Sequence, residues 1–230
     1  MVKPGEHAPY LITDKDFIDD GRILSLLDAQ RGPDARMIRD IILKSRSIET
    51  LLPEETAALL SVQDPLLWEE IFSAAADIKR AVYDNRVVTF APLYCSNLCV
   101  NNCSYCGFRC DNKAVQRQIL SMEQIRNEAE VLAGRLGHKR LVAVYGEHPV
   151  SGADYIAESM AAIYGVKVPV RNGFGQIRRV NINAAPMSVA DYRKIQAAGV
   201  GTYQIFQETY HHPTYRSVHP PGTIKADFRW

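Results

Sequence analysis

The stretch Cys95-Ser-Asn-Leu-Cys99-Val-Asn-Asn-Cys103-Ser-Tyr-Cys106-Gly-Phe-Arg-Cys110 contains all five cysteines of the 230-residue chain. A disulfide framework would staple distant segments in an oxidising compartment, so thiols crowded this closely point to metal instead. Cys99, Cys103 and Cys106 follow a C-x3-C-x2-C spacing. Three thiolates on one tight loop suit three corners of a [4Fe–4S] cubane and leave the fourth iron open to an exogenous ligand. Electron-transfer clusters take four cysteines, in bacterial runs spaced C-x2-C-x2-C-x3-C, which is a different pattern. Two alternatives compete. Cys103 and Cys106 could be half of a zinc knuckle, although no second CxxC or His pair follows at zinc-finger spacing. Cys110 could be a fourth ligand and close the cluster. The open-site reading is the one the spacing favours.

Outward from the loop, the pattern predicts an α/β architecture. Arg86–Leu93, β-branched and aromatic, reads as a strand leading into the cysteines. Ser121-Met-Glu-Gln124 resembles a capping box, opening a helix with Ile125, Ala129, Leu132 and Leu136 on its stripe and Gly137 at its end. Leu141–Tyr145 has the continuous apolar character of a strand covered on both faces. A helix over 153–164 follows, then a strand over 177–183, a helix from Ser188 to Gly199, and a strand over 202–206. Gly173-Phe-Gly175 is too short for a nucleotide fingerprint and reads as a turn before the third strand. Four βα units in succession imply a parallel sheet, that is, an incomplete (β/α) barrel of about four strands over residues 86–230. Four strands cannot close a barrel, so the chain is expected to be cut short at its C-terminus or to need a partner along the open edge.

Residues 1–85 read as a helical region. Met37, Ile38, Ile41 and Ile42 share a face, Pro53 with Glu54 and Glu55 forms a helix first turn, and Asp64-Pro65 opens a helix striped by Trp68, Ile71, Phe72, Ala75, Ile78 and Val82.

In parallel barrels the chemistry gathers at the C-terminal ends of the strands. Here those ends carry the cysteine loop, then Gly146 and Glu147, then Asn181 and Asn183, then Gln207 and Glu208. Glycine before an acid allows close backbone approach beside a carboxylate able to bind an ammonium group. Polar side chains on a strand otherwise built of Val and Ile need partners, because unpaired burial is costly. His148, His211, His212 and His219 read as solvated loop histidines without a role.

The composition is that of an ordinary soluble globular protein, with 47% hydrophobic and 23% charged residues and a net charge of +1. Near-neutral charge gives no reason to expect a nucleic acid or membrane partner. The polar start MVKPGEHAPY and the lack of a long apolar run lead to a cytoplasmic expectation.

With Tyr105 before the third cysteine, the motif resembles the radical S-adenosylmethionine (SAM) signature. The longer strings Thr89-Phe-Ala-Pro-Leu-Tyr94, Gly107-Phe108-Arg109, Gly146-Glu-His-Pro149, Asn181-Ile-Asn183-Ala-Ala-Pro186, Gly201–Tyr210 and His219-Pro-Pro-Gly-Thr-Ile-Lys225 narrow the resemblance to the aromatic amino acid lyase branch. That branch includes the HydG and ThiH types, and the strings look more like HydG. The resemblance implies a [4Fe–4S] cluster on Cys99, Cys103 and Cys106, with SAM chelating the open iron. It puts Tyr105 near the adenine and Gly146 and Glu147 at the methionine end, while Asn183, Gln207 and Glu208 are expected as further cofactor contacts from their place at the strand ends. It implies tyrosine as substrate, cleaved at Cα–Cβ by a 5′-deoxyadenosyl radical to p-cresol and dehydroglycine. Dehydroglycine would go on to CO and cyanide for [FeFe]-hydrogenase assembly in the HydG type, or to thiazole synthesis in the ThiH type. Expected partners are a reductant such as flavodoxin or ferredoxin and other hydrogenase maturation proteins. The sequence departs from the family pattern at Cys95 and Cys110, which read as bystanders. The C-terminal region bearing the second cluster of HydG is absent, which leaves open a non-catalytic cluster- or SAM-binding fragment.

Overall fold

The computed structural model describes residues 17–226. Part of the expected helical region, residues 1–16, and the last four residues lie outside that range. The described residues form two compact units, 17–88 and 89–226.

The first unit contains α1 (Asp20–Ala29), α2 (Ala35–Arg46), α3 (Pro53–Leu60) and α4 (Pro65–Tyr83). Proline opens both α3 and α4, where its missing N–H costs no hydrogen bond. Ile38, Ile41 and Ile42 of α2 pack with Ala58, Val62, Leu67 and Ala74, as the 3.6-residue period requires. The expected stripe on α4 is only half right. Leu67 and Ala74 are the buried positions and Trp68 and Ile71 pack beside them, whereas Phe72, Ala75 and Val82 face outward. The sequence offers two apolar faces on this helix, and the facing α2 selects the one centred on Leu67 and Ala74.

The second unit contains a parallel sheet in the order β1-β2-β5-β6 and a separate hairpin of β3 and β4. Its elements are β1 (Ala91–Ser96), α5 (Met122–Glu130), β2 (Arg140–Tyr145), α6 (Ala153–Tyr164), β3 (Val168–Val170), β4 (Gly173–Gly175), β5 (Arg179–Asn183), α7 (Val189–Ala197), β6 (Tyr203–Gln204) and α8 (His212–Val218). The four parallel strands and their helices bear out the expected (β/α) barrel-like fold. Leu93, Leu141, Ala143, Val180 and Ile182 point to the helix side and pack with Ile125, Ala129, Ile156, Met160, Ile163 and Ile195.

Three local expectations are corrected. The first strand covers Ala91–Ser96 rather than 86–93, because Ala91 is the first residue with a partner on β2, Leu141. Val87 before it is 82% exposed. The capping box of α5 forms through Ser121 and Gln124, but the helix then widens into a π-turn at Val131–Arg135. The amide of Leu136 donates to Val131 O, five residues back. That extra residue per turn puts Ala133 in the core and turns Leu136 out to solvent. Finally, Gly173–Gly175 is a strand, paired antiparallel with β3, and only Gly173 holds the turn conformation, at φ +111°. A Cβ on Gly175 would lie 2.4 Å from Ala133 O, so glycine lets this hairpin close on the π-turn.

Register fixes what the other face of the sheet presents. Tyr94 pairs with Val144, Val144 with Asn183, and Asn183 with Gln204. These four residues form one cross-strand row near the C-terminal edge, grading from aromatic at β1 to amide at β6.

Candidate functional site

The cysteine loop leaves β1 at Ser96 and is tied back from three directions. From behind, the guanidinium of Arg117 donates to four carbonyls of the loop, those of Asn97 (2.8 Å), Phe108 (2.9 Å), Asn112 (3.3 Å) and Arg109. A planar fork of five donors suits this task because it reaches several acceptors at once without bending. Asn97 adds two further ties, Nδ2 to Gln116 O at 2.8 Å and Oδ1 from Gln118 N at 2.7 Å.

From the end of β2, Gly146 N donates to Ser96 O at 2.8 Å, and Glu147 O accepts from Val100 N at 2.8 Å. A Cβ on Gly146 would stand 2.2 Å from Leu98 O. Only glycine lets the loop lie this close to the strand end. From the C-terminal segment, Val218 O accepts from Ser104 N at 2.9 Å, and Lys225 N donates to Asn101 Oδ1 at 2.7 Å.

Asn101 is the hub of this arrangement and is buried. Its Nδ2 donates to Glu147 Oε2 at 2.5 Å and its carbonyl accepts from Cys110 N at 2.8 Å. Its backbone N–H points at Cys99 Sγ at 3.4 Å, and Phe108 N points at Cys106 Sγ at 3.4 Å. N–H donors aimed at cysteine sulfur are what an iron–sulfur site uses to stabilise its thiolates.

Cys103 is buried, while Cys99 and Cys106 are half-buried. Burial pushes the Cys103 thiol up, nearby Lys225 draws it down, and Cys106 and Cys99 each raise it further, which marks the three thiols as electrostatic neighbours. Among the described residues no three His, Cys, Asp or Glu side chains are grouped to hold a single metal ion. Three free thiols with N–H donors on one braced loop suit a multi-iron cluster, in which each thiolate takes its own iron. The residues present therefore fit a [4Fe–4S] cluster.

The other two cysteines sit apart in character. Cys95 lies in the core of the sheet, its thiol pushed up to about 12 by burial, with Leu93 O at 3.8 Å. Cys110 is exposed.

The rim residues are drawn in unequally. Gly146 and Glu147 line a pocket of about 250 Å³ that also takes in Ala184 and Met187 beyond β5, so it spans two strand ends. Among the described residues the buried Nε2 of Gln207 has no hydrogen-bond partner, a donor held ready at the rim. Glu208 adopts φ +53°, unusual for a residue with a Cβ, and its carboxylate pairs with Lys225 Nζ at 3.0 Å. Asn183 stands in the cross-strand row, and among the described residues no side-chain hydrogen bond ties it to the loop. Asn181 is engaged by Arg179 Nε at 3.3 Å.

Tyr105 is about half exposed, and its hydroxyl is fully used. His219 is not a solvated histidine, as the sequence suggested, but 3% exposed. Its Nδ1 lies 2.7 Å from Tyr215 O, an acceptor, so Nδ1 carries the proton and Nε2 is left to accept. The hydroxyl of Tyr105 accordingly donates to Nε2 at 2.8 Å and accepts from Lys225 Nζ at 3.1 Å. Burial, then the charge at Cys103, pushes the Tyr105 phenol well above its usual range and keeps it a donor. Asn101, Arg117, His219 and Lys225 were missed from sequence. Asn101, His219 and Lys225 at least lie in strings that resemble the family, whereas nothing in the sequence pointed to Arg117.

Residues 93–226 match the radical SAM superfamily. The chain is similar to 2-iminoacetate synthase of Salmonella typhimurium, 30% identical over 217 residues, covering 94% of this chain and 54% of that protein. Among solved structures it is similar to a crystal structure of HydG, described as a maturase of the [FeFe]-hydrogenase. That match has TM-score 0.86 and 46% identity, over 92% of this chain and 45% of the other. HydG from Carboxydothermus hydrogenoformans is also similar, at TM-score 0.77 and 36% identity, over 90% of this chain and 46% of that one. The chain spans about half the length of the curated relatives it matches.

Proposed function

The chain belongs to the radical SAM superfamily, and on that premise we propose that it serves a HydG-type tyrosine lyase. The reaction would be cleavage of tyrosine at Cα–Cβ to p-cresol and dehydroglycine, en route to CO and cyanide for [FeFe]-hydrogenase assembly. The observation that carries this reading is the 46% identity to HydG across 92% of the chain. The family's cofactors are a [4Fe–4S] cluster and SAM. When bound and reduced they supply a 5′-deoxyadenosyl radical that takes a hydrogen atom from the substrate.

The chain's own residues have four tasks. Cys99, Cys103 and Cys106 would hold three irons and, by offering no fourth thiolate, leave one iron open. Asn101 and Phe108 N–H groups stabilise the negative sulfurs. Gly146 lets the loop close on the strand end, and Glu147 offers a carboxylate toward an ammonium group, steadied by Asn101. Tyr105, Asn183, Gln207 and Glu208 would line the remainder of the SAM site. Gln207 contributes the unpaired donor, and the row from Tyr94 to Gln204 forms a floor from which water can be excluded once the site is filled.

A second reading is favoured by the likeness to 2-iminoacetate synthases. The same cleavage would then deliver its product to thiazole synthesis. The test is anaerobic reconstitution followed by EPR with and without SAM, and incubation with tyrosine and reductant. A SAM-dependent [4Fe–4S]⁺ signal with p-cresol and 5′-deoxyadenosine supports the lyase. Dehydroglycine without CO or cyanide fits either reading in a chain that spans about half of its relatives, and a C-x2-C motif downstream in the complete gene would then favour the first. A signal indifferent to SAM would overturn both.

A further inference from the structure

We propose that His219 and Lys225 are positioning residues that fix Tyr105, and that the segment carrying them braces the cysteine loop in its SAM-binding pose. The inference rests on the reading of Tyr105 as a SAM contact and adds two residues to which no role had been given.

The geometry is specific at each link. Tyr105 is the one side chain between Cys103 and Cys106 with a hydroxyl far enough out to reach another segment. That hydroxyl meets an acceptor at 2.8 Å in His219 and a donor at 3.1 Å in Lys225. The His219 acceptor is oriented by its own donation to Tyr215 O at 2.7 Å, so the imidazole cannot rotate without losing a buried bond. Lys225 in turn meets Glu208 at 3.0 Å, linking Tyr105 to the end of β6.

Backbone ties hold the segment itself. Ser104 N donates to Val218 O at 2.9 Å, Lys225 N to Asn101 Oδ1 at 2.7 Å, and Tyr215 Oη to Lys225 O at 2.7 Å. The brace thus grips the loop on both sides of Cys103. Glu208 supplies an independent sign that the arrangement is held under tension. Its φ of +53° is unfavourable for a residue with a Cβ, and such a conformation persists where neighbours hold it. The ion pair to Lys225 is one contact that Glu208 makes from that conformation.

The test uses the full chain with four single variants and one pair. Tyr105→Phe removes a single oxygen at a half-exposed site and leaves the fold intact. His219→Gln keeps a polar side chain in the buried position. Lys225→Met removes the ammonium, and Lys225→Arg restores a cation that can reach both Glu208 and Tyr105. Two readouts are taken: the SAM dissociation constant from the EPR change of the reduced cluster, and amide exchange of the loop in the cluster-free chain.

Tyr105→Phe, His219→Gln and Lys225→Met are each expected to weaken SAM by about five- to tenfold at unchanged iron content. The loss in the Tyr105→Phe, His219→Gln pair should be smaller than the sum of the two single losses, because both variants remove the same Tyr105–His219 bond. Lys225→Arg should return most of the affinity. In the cluster-free chain each of the three damaging variants should speed exchange at Ser104. Unchanged exchange and unchanged SAM affinity in Tyr105→Phe overturn the brace, as does strict additivity of the pair. Faster exchange in a chain whose cluster ignores SAM upholds the brace and removes the proposed function instead.

Discussion

Replacing Arg117 by Met keeps the length and apolar stem of the side chain and removes a cation that meets four carbonyls of the cysteine loop. Bonds from a charged donor contribute about 1.5–3 kcal/mol each when the acceptor is otherwise desolvated. Not all four count fully here. Arg117 is half-buried and so are all four acceptor residues, Asn97, Phe108, Arg109 and Asn112, so water can replace part of every bond once the fork is gone, and the four together are taken as two. Two such bonds, at the lower figure, leave about 3 kcal/mol of loop ordering. That is on the order of a hundredfold in the population of the opened loop. The loop is a local unit, so the loss should appear as easier opening more than as a lower melting temperature. The assay is the rate of iron loss from the reconstituted chain to an excess of chelator. R117M is expected to lose iron on the order of a hundred times faster than the parent. R117K, which keeps the charge but not the planar fork, should lie nearer R117M than the parent. Iron loss within threefold of the parent in R117M would refute the account of Arg117 as the member that holds the loop from behind.

Gly146→Ala puts a methyl 2.2 Å from Leu98 O, so backbone must move. We expect a destabilised chain whose residual cluster no longer responds to SAM, and a normal SAM-shifted EPR spectrum would count against the close approach. Cys103→Ala should abolish the cluster, while Cys95→Ala and Cys110→Ala should keep it, with Cys95→Ala costing about 1 kcal/mol of stability for its small core cavity. Metal analysis and a denaturant melt read both, and loss of iron in either of the last two would show the ligand assignment to be wrong. For acid stability, Lys44 holds the Glu55 carboxyl below its usual range, and Arg39 does the same for Glu70. A carboxylate depressed in the folded chain adds stability above its unfolded value, near 4.3, and that stability is lost as pH falls through the folded value. The acid limb of a pH melt should therefore flatten below about pH 4 in the double variant Glu55→Gln, Glu70→Gln, and an unchanged limb would contradict the pairing.

What the sequence revealed and what it hid divide along chain distance. Ser121 with Gln124, Pro53 with Glu55, and Ser188 before α7 were readable because a cap and its partner lie within three residues. The α4 face was misread because its stripe could be drawn through Phe72 and Val82 or through Leu67 and Ala74, and only α2 across the gap distinguishes them. The first strand was placed five residues early because Val87 and Val88 have strand character but no ladder partner, which composition cannot register. Leu136 was put in the core because a π-turn leaves no mark in a 3.6-residue pattern.

The candidate site follows the same division, and this bears on how the loop works. The spacing of Cys99, Cys103 and Cys106 is local and could be read at once. The residues that give those cysteines a fixed geometry are remote in sequence from what they hold. Arg117 reaches back 20 positions to Asn97, Glu147 meets Asn101 across 46, and His219 meets Tyr105 across 114. The loop has some backbone bonds of its own, such as Cys106 N to Cys103 O and Cys110 N to Asn101 O, but no regular helix or strand to order it. Ordering the loop costs conformational entropy, and bringing Cys103 into burial makes its thiolate harder to form, so the loop must be assembled against a cost before any iron arrives. The frame meets that cost from three separate elements: the stretch after the loop, the end of β2, and the segment after β6. Each alone leaves one side of the loop free. A motif search sees the cysteines, whereas their fixed geometry resides in the frame, and the folding of the sheet is what brings the frame together.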